Sequence, residues 1–516
     1  MADLPPSTDL EPAPDEPVVR PRLRPAVAAL VVILVVGIGV LELSGGFLTR
    51  RPAVPAGGTP GTIASPDAVP SAQAATTPGE LTSPAAASPS IAPLTPAPSS
   101  PVAAGPARSG LIAIAAQGGG LLTQDDRGGS RASYTVAGVV LGFPAWSPDG
   151  TRIAAIGQGA ADSAIYVFRV RRTAGAAAPP TVLYRSADLP PFYLYWTPDG
   201  RWVSFLTDDP ANGIALRVAP SDAARPIAQD DPAFVLRRGA PLYFDWVTPE
   251  RVLLHVGSGS TAFVGQVGLH GEIVASTAGG NGDFRPAVLS GDGRYEAIAA
   301  AGPDDADAIV VARPDGSGDH RIAVFGPTAM AFEPGSDSLA LIAAGAPIQP
   351  PIGFPLGPLR IVDPATGAER TILDGPVVAF FWAPDGRTIA ALRVVGPGQG
   401  PTAAQAGAVL AGAHLRNPAE AVDPPGAGSA VDLVFVDPAT GHVRAERQVQ
   451  LGDAFVSEIL PYFDQYALSH RVWSPDSASI ALPTVSSSGA DEVVEIPVDG
   501  SEPYLVADGT GAFWSP

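Results

Sequence analysis

The chain contains no cysteine, which excludes disulfides, thiolate metal sites and a lipid-modified cysteine anchor. Its compartment must therefore be read from targeting segments and not from redox chemistry. Lysine is absent as well. All 31 basic residues are arginine, set against 51 acidic ones, for a formal net charge of −20. With 58 Gly, 58 Pro and abundant Ala, the arginine-only usage fits GC-rich coding. A nucleic-acid-binding surface needs clustered positive charge, and this balance argues against one. Histidine is scarce too, at six residues, which limits any metal chemistry. Long apolar runs are equally rare, and the one that exists organises the N-terminal part.

That run is residues 25–41, PAVAALVVILVVGIGVL, with no charged residue. At 1.5 Å per residue it reaches roughly 25 Å, and residues 43–48 extend it to a membrane span over 25–48. Arg20, Arg22 and Arg24 precede it and Arg50 and Arg51 follow it. No Ala-x-Ala cleavage site follows the apolar stretch, so an uncleaved anchor is expected in place of a signal peptide. The N-terminus would then face the cytoplasm and the remainder would lie outside a bacterial membrane. Residues 1–24 mix proline with acids and are expected to form a disordered cytoplasmic tail. Residues 49–108 are Ala, Pro, Ser, Thr and Gly almost throughout. From Pro52 on they carry no aromatic residue with which to build a core. This linker would average about 40–45 Å as a coil and approach about 180 Å if fully polyproline-like.

Beyond it, a five-residue phrase recurs. It reads Trp146-Ser147-Pro148-Asp149-Gly150, Trp196-Thr197-Pro198-Asp199-Gly200, Trp382-Ala383-Pro384-Asp385-Gly386 and Trp473-Ser474-Pro475-Asp476-Ser477. Weaker copies stand at Trp246–Glu250, Leu289–Gly293 and Phe332–Ser336, and the chain ends inside another at Phe513-Trp514-Ser515-Pro516. Proline presets φ at the first central turn position, Asp bonds its own backbone, and Gly takes the positive φ that follows. Such a turn joins two short antiparallel strands, and the preceding Trp can pack between neighbouring sheets. Two further strands fit in each period of about 40–50 residues, and four strands per period make a propeller blade. Only three strand-like runs precede the first phrase: 110–116, 119–124 and 131–136. Residues 511–514 supply the missing inner strand for those three. The expectation is an all-β propeller over 109–516, its ring closed by the C-terminal strand. The count is eight blades, or seven if the copy at Leu289 is misread.

The phrase and its placement resemble the repeats of TolB-like, WD-repeat-like propellers, also seen in the N-terminal propellers of prolyl-oligopeptidase relatives. The likeness covers roughly residues 110–516. It implies a scaffold that usually binds something, since that superfamily includes interaction proteins, peptidase accessory domains and a few polysaccharide lyases. No Gly-x-Ser-x-Gly phrase is present, so a serine peptidase triad cannot be carried over. His255, His270, His320, His414, His442 and His470 show no metal-ligand spacing. The acidic run Asp304–Asp307 lacks the ligand spacing of a calcium loop and reads as a solvated hairpin tip. No cofactor or metal is expected.

Three insertions depart from the repeat. Residues 344–357 and 395–429 lengthen hairpins between second and third strands, and 451–470 lengthens the link into the last phrase. By strand parity all three meet on one rim. Only 451–470 combines aromatic and polar residues, namely Phe455, Tyr462, Phe463, Asp464, Tyr466 and His470. They suit a pocket wall or contact patch, with plugging of the channel as the structural alternative. The expected function is a membrane-tethered, extracytoplasmic, non-enzymatic binding module for a protein, peptide or glycan. The rival is a propeller enzyme, such as a polysaccharide lyase or hydrolase, using rim residues.

Overall fold

The computed structural model describes residues 110–516 apart from 173–174, 177, 230, 277–283, 302–306, 348–353 and 395–428. The apolar 25–48 run, its flanking tail and the linker lie outside the described residues. So do His414, the core of the acidic run near Asp304 and nearly all of the 395–429 insertion. Among the described residues no helix is long and apolar enough to cross a membrane.

The strands form successive antiparallel meanders whose inner strands are the ones that end in the repeated phrase. Val140–Trp146, Pro191–Trp196 and Leu242–Thr248 each head a four-stranded sheet. The short Val288–Leu289 heads another, so the weak copy at Leu289 is a real inner strand. The first three strands, Ile112–Ala115, Leu121–Gln124 and Ala132–Tyr134, form a sheet with Gly511–Trp514, and the strands from Phe325 to Asp508 run together as one ten-stranded sheet. They do so partly because Glu369–Trp382 is a single 14-residue strand, outermost in one meander and innermost in the next. A register shift on each side and Gly375 at φ +99° mark where it changes role. Gly511–Trp514 pairs antiparallel with Ile112–Ala115 in the register Ile112 to Trp514 and Ala115 to Gly511, which ties the end of the chain to its first described strand. These meanders, with inner strands packed side by side, make a β-propeller.

The turns follow from the phrase itself. In the first copy the Ser147 hydroxyl donates to Asp149 Oδ1 at 2.6 Å, and Asp149 Oδ1 accepts from the Thr151 amide at 3.0 Å. The Gly150 amide donates to the Ser147 carbonyl at 2.8 Å, with Gly150 at φ +64°. The same bonds recur at Thr197/Asp199, Ser290/Asp292 and Ser474/Asp476. In the fourth copy Ser477 occupies the left-handed position at φ +60°, a conformation costly for a side-chain-bearing residue. Its hydroxyl compensates by accepting the Asp385 amide from a neighbouring phrase at 3.1 Å.

The tryptophans join one sheet to the next. Trp196 Nε1 donates to the Ala145 carbonyl at 2.9 Å, and Ala145 is the residue before Trp146. Trp146 donates to Phe513, the residue before Trp514, at 2.9 Å, and Trp473 to Phe381, the residue before Trp382, at 2.9 Å. Trp382 donates to Ala331, before Phe332, at 3.2 Å. Trp246 reaches its counterpart carbonyl through a relay: it donates to Ser204 Oγ at 3.0 Å, which donates to the Tyr195 carbonyl at 2.7 Å. Replacing Trp196 with Phe should keep the ring under Arg152, which stacks on it at 4.8 Å, but leave the Ala145 carbonyl without its donor. We expect a loss of about 1–3 kcal/mol, read as a lower midpoint in equilibrium urea unfolding. An unchanged midpoint would show that the indole bond is incidental.

Candidate functional site

Residues 455–470 fold into the middle of the propeller. Phe455–Ile459 is a π-helical turn, Leu460–Tyr462 a 3₁₀ turn, and Phe463–Ser469 an α-helix, α1. α1 packs on the inner strands Pro191–Trp196, Leu242–Thr248, Phe325–Phe332 and Glu369–Trp382, so it touches three separate sheets of the propeller. Phe463 meets Phe380 and Phe381 edge-on at 5.6 and 5.7 Å. Tyr466 stacks on Phe143 at 6.2 Å and meets Tyr193 edge-on at 5.2 Å, while His470 lies 4.7 Å from Phe513.

Gln465, one of the polar residues interleaved with the aromatics of 451–470, anchors the helix. Its Nε2 donates to the Phe244 carbonyl at 2.7 Å and its Oε1 accepts the Phe244 amide at 3.0 Å, as a paired strand would. Tyr193 OH donates to the Gln465 carbonyl at 2.7 Å. The inner strands bend to meet α1. Phe143 and Tyr193, at equivalent places in their repeats, have φ of +51° and +50°, and each sits at a register shift. A β-bulge re-aims a side chain, and here both aromatic rings are turned onto Tyr466.

The six residues singled out in this segment are placed differently from one another. Phe455, Phe463, Tyr466 and His470 are buried and act as packing, the alternative that sequence reading left open. Phe463 and Tyr466 pack against aromatic side chains of the surrounding inner strands. Tyr462 is 46% exposed and Asp464 is half-buried, so only these two of the six candidates face solvent. Burial holds His470 at about 3 and His255 at about 4, so both are neutral. No group of three acidic or histidine side chains among the described residues could hold a metal ion.

What remains beside α1 is a small ionisable group. Tyr195 OH donates to Asp245 Oδ1 at 2.9 Å. Tyr243 lies two residues before Asp245 and so on the same face of its strand. Desolvation pushes the carboxyls of Asp245 and Asp464 up to about 6. Tyr195 and Tyr243 are raised as well, first by burial and then by the nearby carboxylates. Arg471 is exposed and lies near Tyr195. Neither Asp245 nor Asp464 forms an ion pair among the described residues. None of Asp245, Tyr195, Tyr243 and Arg471 was singled out beforehand, and only their position beside a repeated Trp or at the end of the insertion pointed to the channel.

No family model and no curated protein matches the chain. Among solved structures, a dihydro-heme d1 dehydrogenase, NirN, is similar at 14% identity over 80% of this chain and 78% of that one, with a TM-score of 0.45. The C-terminal WD40 domain of Sif2 is similar at 11% over 75% and 93%, with a TM-score of 0.43. A putative TolB from Agrobacterium tumefaciens is similar at 15% over 55% and 96%, with a TM-score of 0.33. At these levels they assign no activity.

A carboxyl whose folded pKa is raised takes its proton first in the native state. The cost of ionising it is present above about pH 6 and fades as pH falls towards the ordinary value near 4. Asp245→Asn should therefore raise stability at pH 7.5, and that gain should shrink towards zero by about pH 4. Urea midpoints across this range check it. A gain that is constant with pH would mean that Asp245 titrates normally.

Proposed function

We propose that this is an eight-bladed propeller, closed by Gly511–Trp514 and carried outside the membrane on the 49–108 linker behind the 25–48 anchor. It acts as a non-enzymatic binding module for a protein, peptide or glycan. The observation that carries the reading is the channel filling by 455–470. A ring whose centre is packed across by α1, and whose sheets are latched by indole bonds, is a rigid body. Its use then lies at its faces, and rigid faces suit recognition. The partners proposed are extracytoplasmic, with no nucleic acid among them, in keeping with the net charge of −20.

Protease added to intact cells, or to protoplasts where a wall intervenes, should release a fragment of nearly the whole propeller. Full protection, under conditions that digest a known exposed protein, would overturn the orientation. Capture of an envelope partner by the full chain, lost on mild denaturation, tests the binding role. Closure has its own test. Removing residues 510–516 strips Trp514, fully buried, from beside Ile112–Ala115. Loss of a buried Trp alone costs about 3–5 kcal/mol, and the exposed strand edge invites aggregation. A truncated chain that melts within a few degrees of the intact one would show that the ring closes elsewhere.

A further inference from the structure

The group beside α1 combines features that packing alone does not require. Asp245 and Asp464 are half-buried, each raised by desolvation, and no arginine among the described residues lies within ion-pair distance of either. Tyr243 is only 4% exposed, and its hydroxyl finds no hydrogen-bond partner, although it feels both carboxylates. A buried hydroxyl without a partner costs roughly 1–3 kcal/mol, and an uncompensated carboxylate costs more. Aromatic rings cluster about Tyr195, the hydrogen-bond donor to Asp245. Tyr195 lies 6.1 Å from Phe244 and 6.4 Å from Tyr193, and Tyr193 lies 5.5 Å from Phe244.

We propose that Asp245, Tyr243, Tyr195 and Asp464 together form a recess that binds a primary ammonium group. The donor and acceptor count favours this cation. An ammonium brings three N–H donors, and the recess offers the free carboxylate oxygens and the Tyr243 oxygen as acceptors. The ring faces of Tyr195 and Tyr193 attract the cation, and its attached carbon chain packs on apolar surface beside them. A hard metal ion would need more oxygen ligands than converge here, since no three carboxylate or histidine groups come together among the described residues. Of the other titratable groups around it, Tyr193 lies near Asp245 and Tyr466, Glu458 and Tyr462 lie near Tyr466, and Arg471 lies near Tyr195. Arg471, exposed beside Tyr195, repels a cation.

This inference rests on the reading of the propeller as a binding module, and it names the chemistry of that recognition. The ammonium has two possible sources, a free amine or a lysine side chain, and this chain supplies no lysine of its own. The test is calorimetric titration of the full chain in detergent with n-butylamine, with n-butanol of the same length, and with Nα-acetyl-lysine methylamide. Butylamine should bind at pH 7.5 and butanol should not. Asp245→Asn should weaken binding at least tenfold and Tyr243→Phe about three- to tenfold. Arg471→Gln should strengthen it. Binding by the unmodified chain should also fade below about pH 6, as the carboxyls take up protons. Tighter binding of the lysine derivative than of butylamine assigns the ammonium to a polypeptide partner, and the reverse assigns it to a free amine. Equal response to butylamine and butanol, or retention of full affinity by both Asp245→Asn and Tyr243→Phe, overturns the site. Should amines fail to bind while an envelope partner is still captured, the site falls and the binding-module reading stands. Amine binding with no captured partner reverses that outcome.

Discussion

The hydrogen bond from a tryptophan indole to the carbonyl one residue before its counterpart in the preceding sheet sets the geometry of the whole propeller. It is made at Trp146, Trp196, Trp382 and Trp473, and at Trp246 through the Ser204 hydroxyl. A buried indole N–H must find an acceptor, and a carbonyl on the innermost strand is available because no further strand lies inside it. Each bond thus fixes the distance and stagger between adjacent sheets at the same height. The proline turn beside it fixes how the next strand leaves. Where the indole donor is missing, at Leu289 and Phe332, the sheets are joined by apolar packing, as in the cluster of Val288, Ile309, Met330 and Leu341, and by arginines: Arg285 donates to Gly326 and Thr328, and Arg294 pairs with Asp337.

Trp514 is the exception that locates the seam. Its indole nitrogen is buried without a partner, and the Val472 carbonyl that the pattern assigns to it instead accepts the Ala481 amide. The backbone substitutes for the side chain here. The Trp514 amide donates to the Arg471 carbonyl at 2.7 Å, and the strand pairs with Ile112–Ala115. The contact between the ends of the chain therefore rests on strand pairing and burial of Trp514, without the side-chain latch used elsewhere.

Much of this was legible from the residues. The phrase carries its own turn, so strand ends near Trp146, Trp196, Trp382 and Trp473 follow from local chemistry, and residues 511–514 pair where the strand count required. The role of 455–470 was not legible in the same way. Phe455, Phe463 and Tyr466 have the composition of a pocket wall and of a plug alike, because both bury aromatic faces beside polar tips. What decides between them is Tyr193, 272 positions from Gln465, and Phe244, 221 positions away. No local pattern encodes a meeting at that distance. The positive φ of Phe143 and Tyr193 was equally hidden, since bulky aromatics seldom take that conformation and do so here only because Tyr466 and the bulges hold them.

The plug also explains why the acidic pair in the channel matters. Filling a channel calls for apolar volume, and Phe463 with Tyr466 supplies it. Two desolvated carboxyls raised to about 6 oppose that economy, because at neutral pH each destabilises the fold that holds it. A hydrogen bond from Tyr195 relieves Asp245 only in part, and the hydroxyl of Tyr243 gains nothing from its burial. Asn at position 245 would keep the bond from Tyr195 and shed the charge. Groups that work against stability in an otherwise well-latched core are the places where a fold departs from its own rules, and such departures concentrate at functional sites. Asp245 and Asp464 are therefore the two points at which this core departs from the apolar packing that Phe463 and Tyr466 supply.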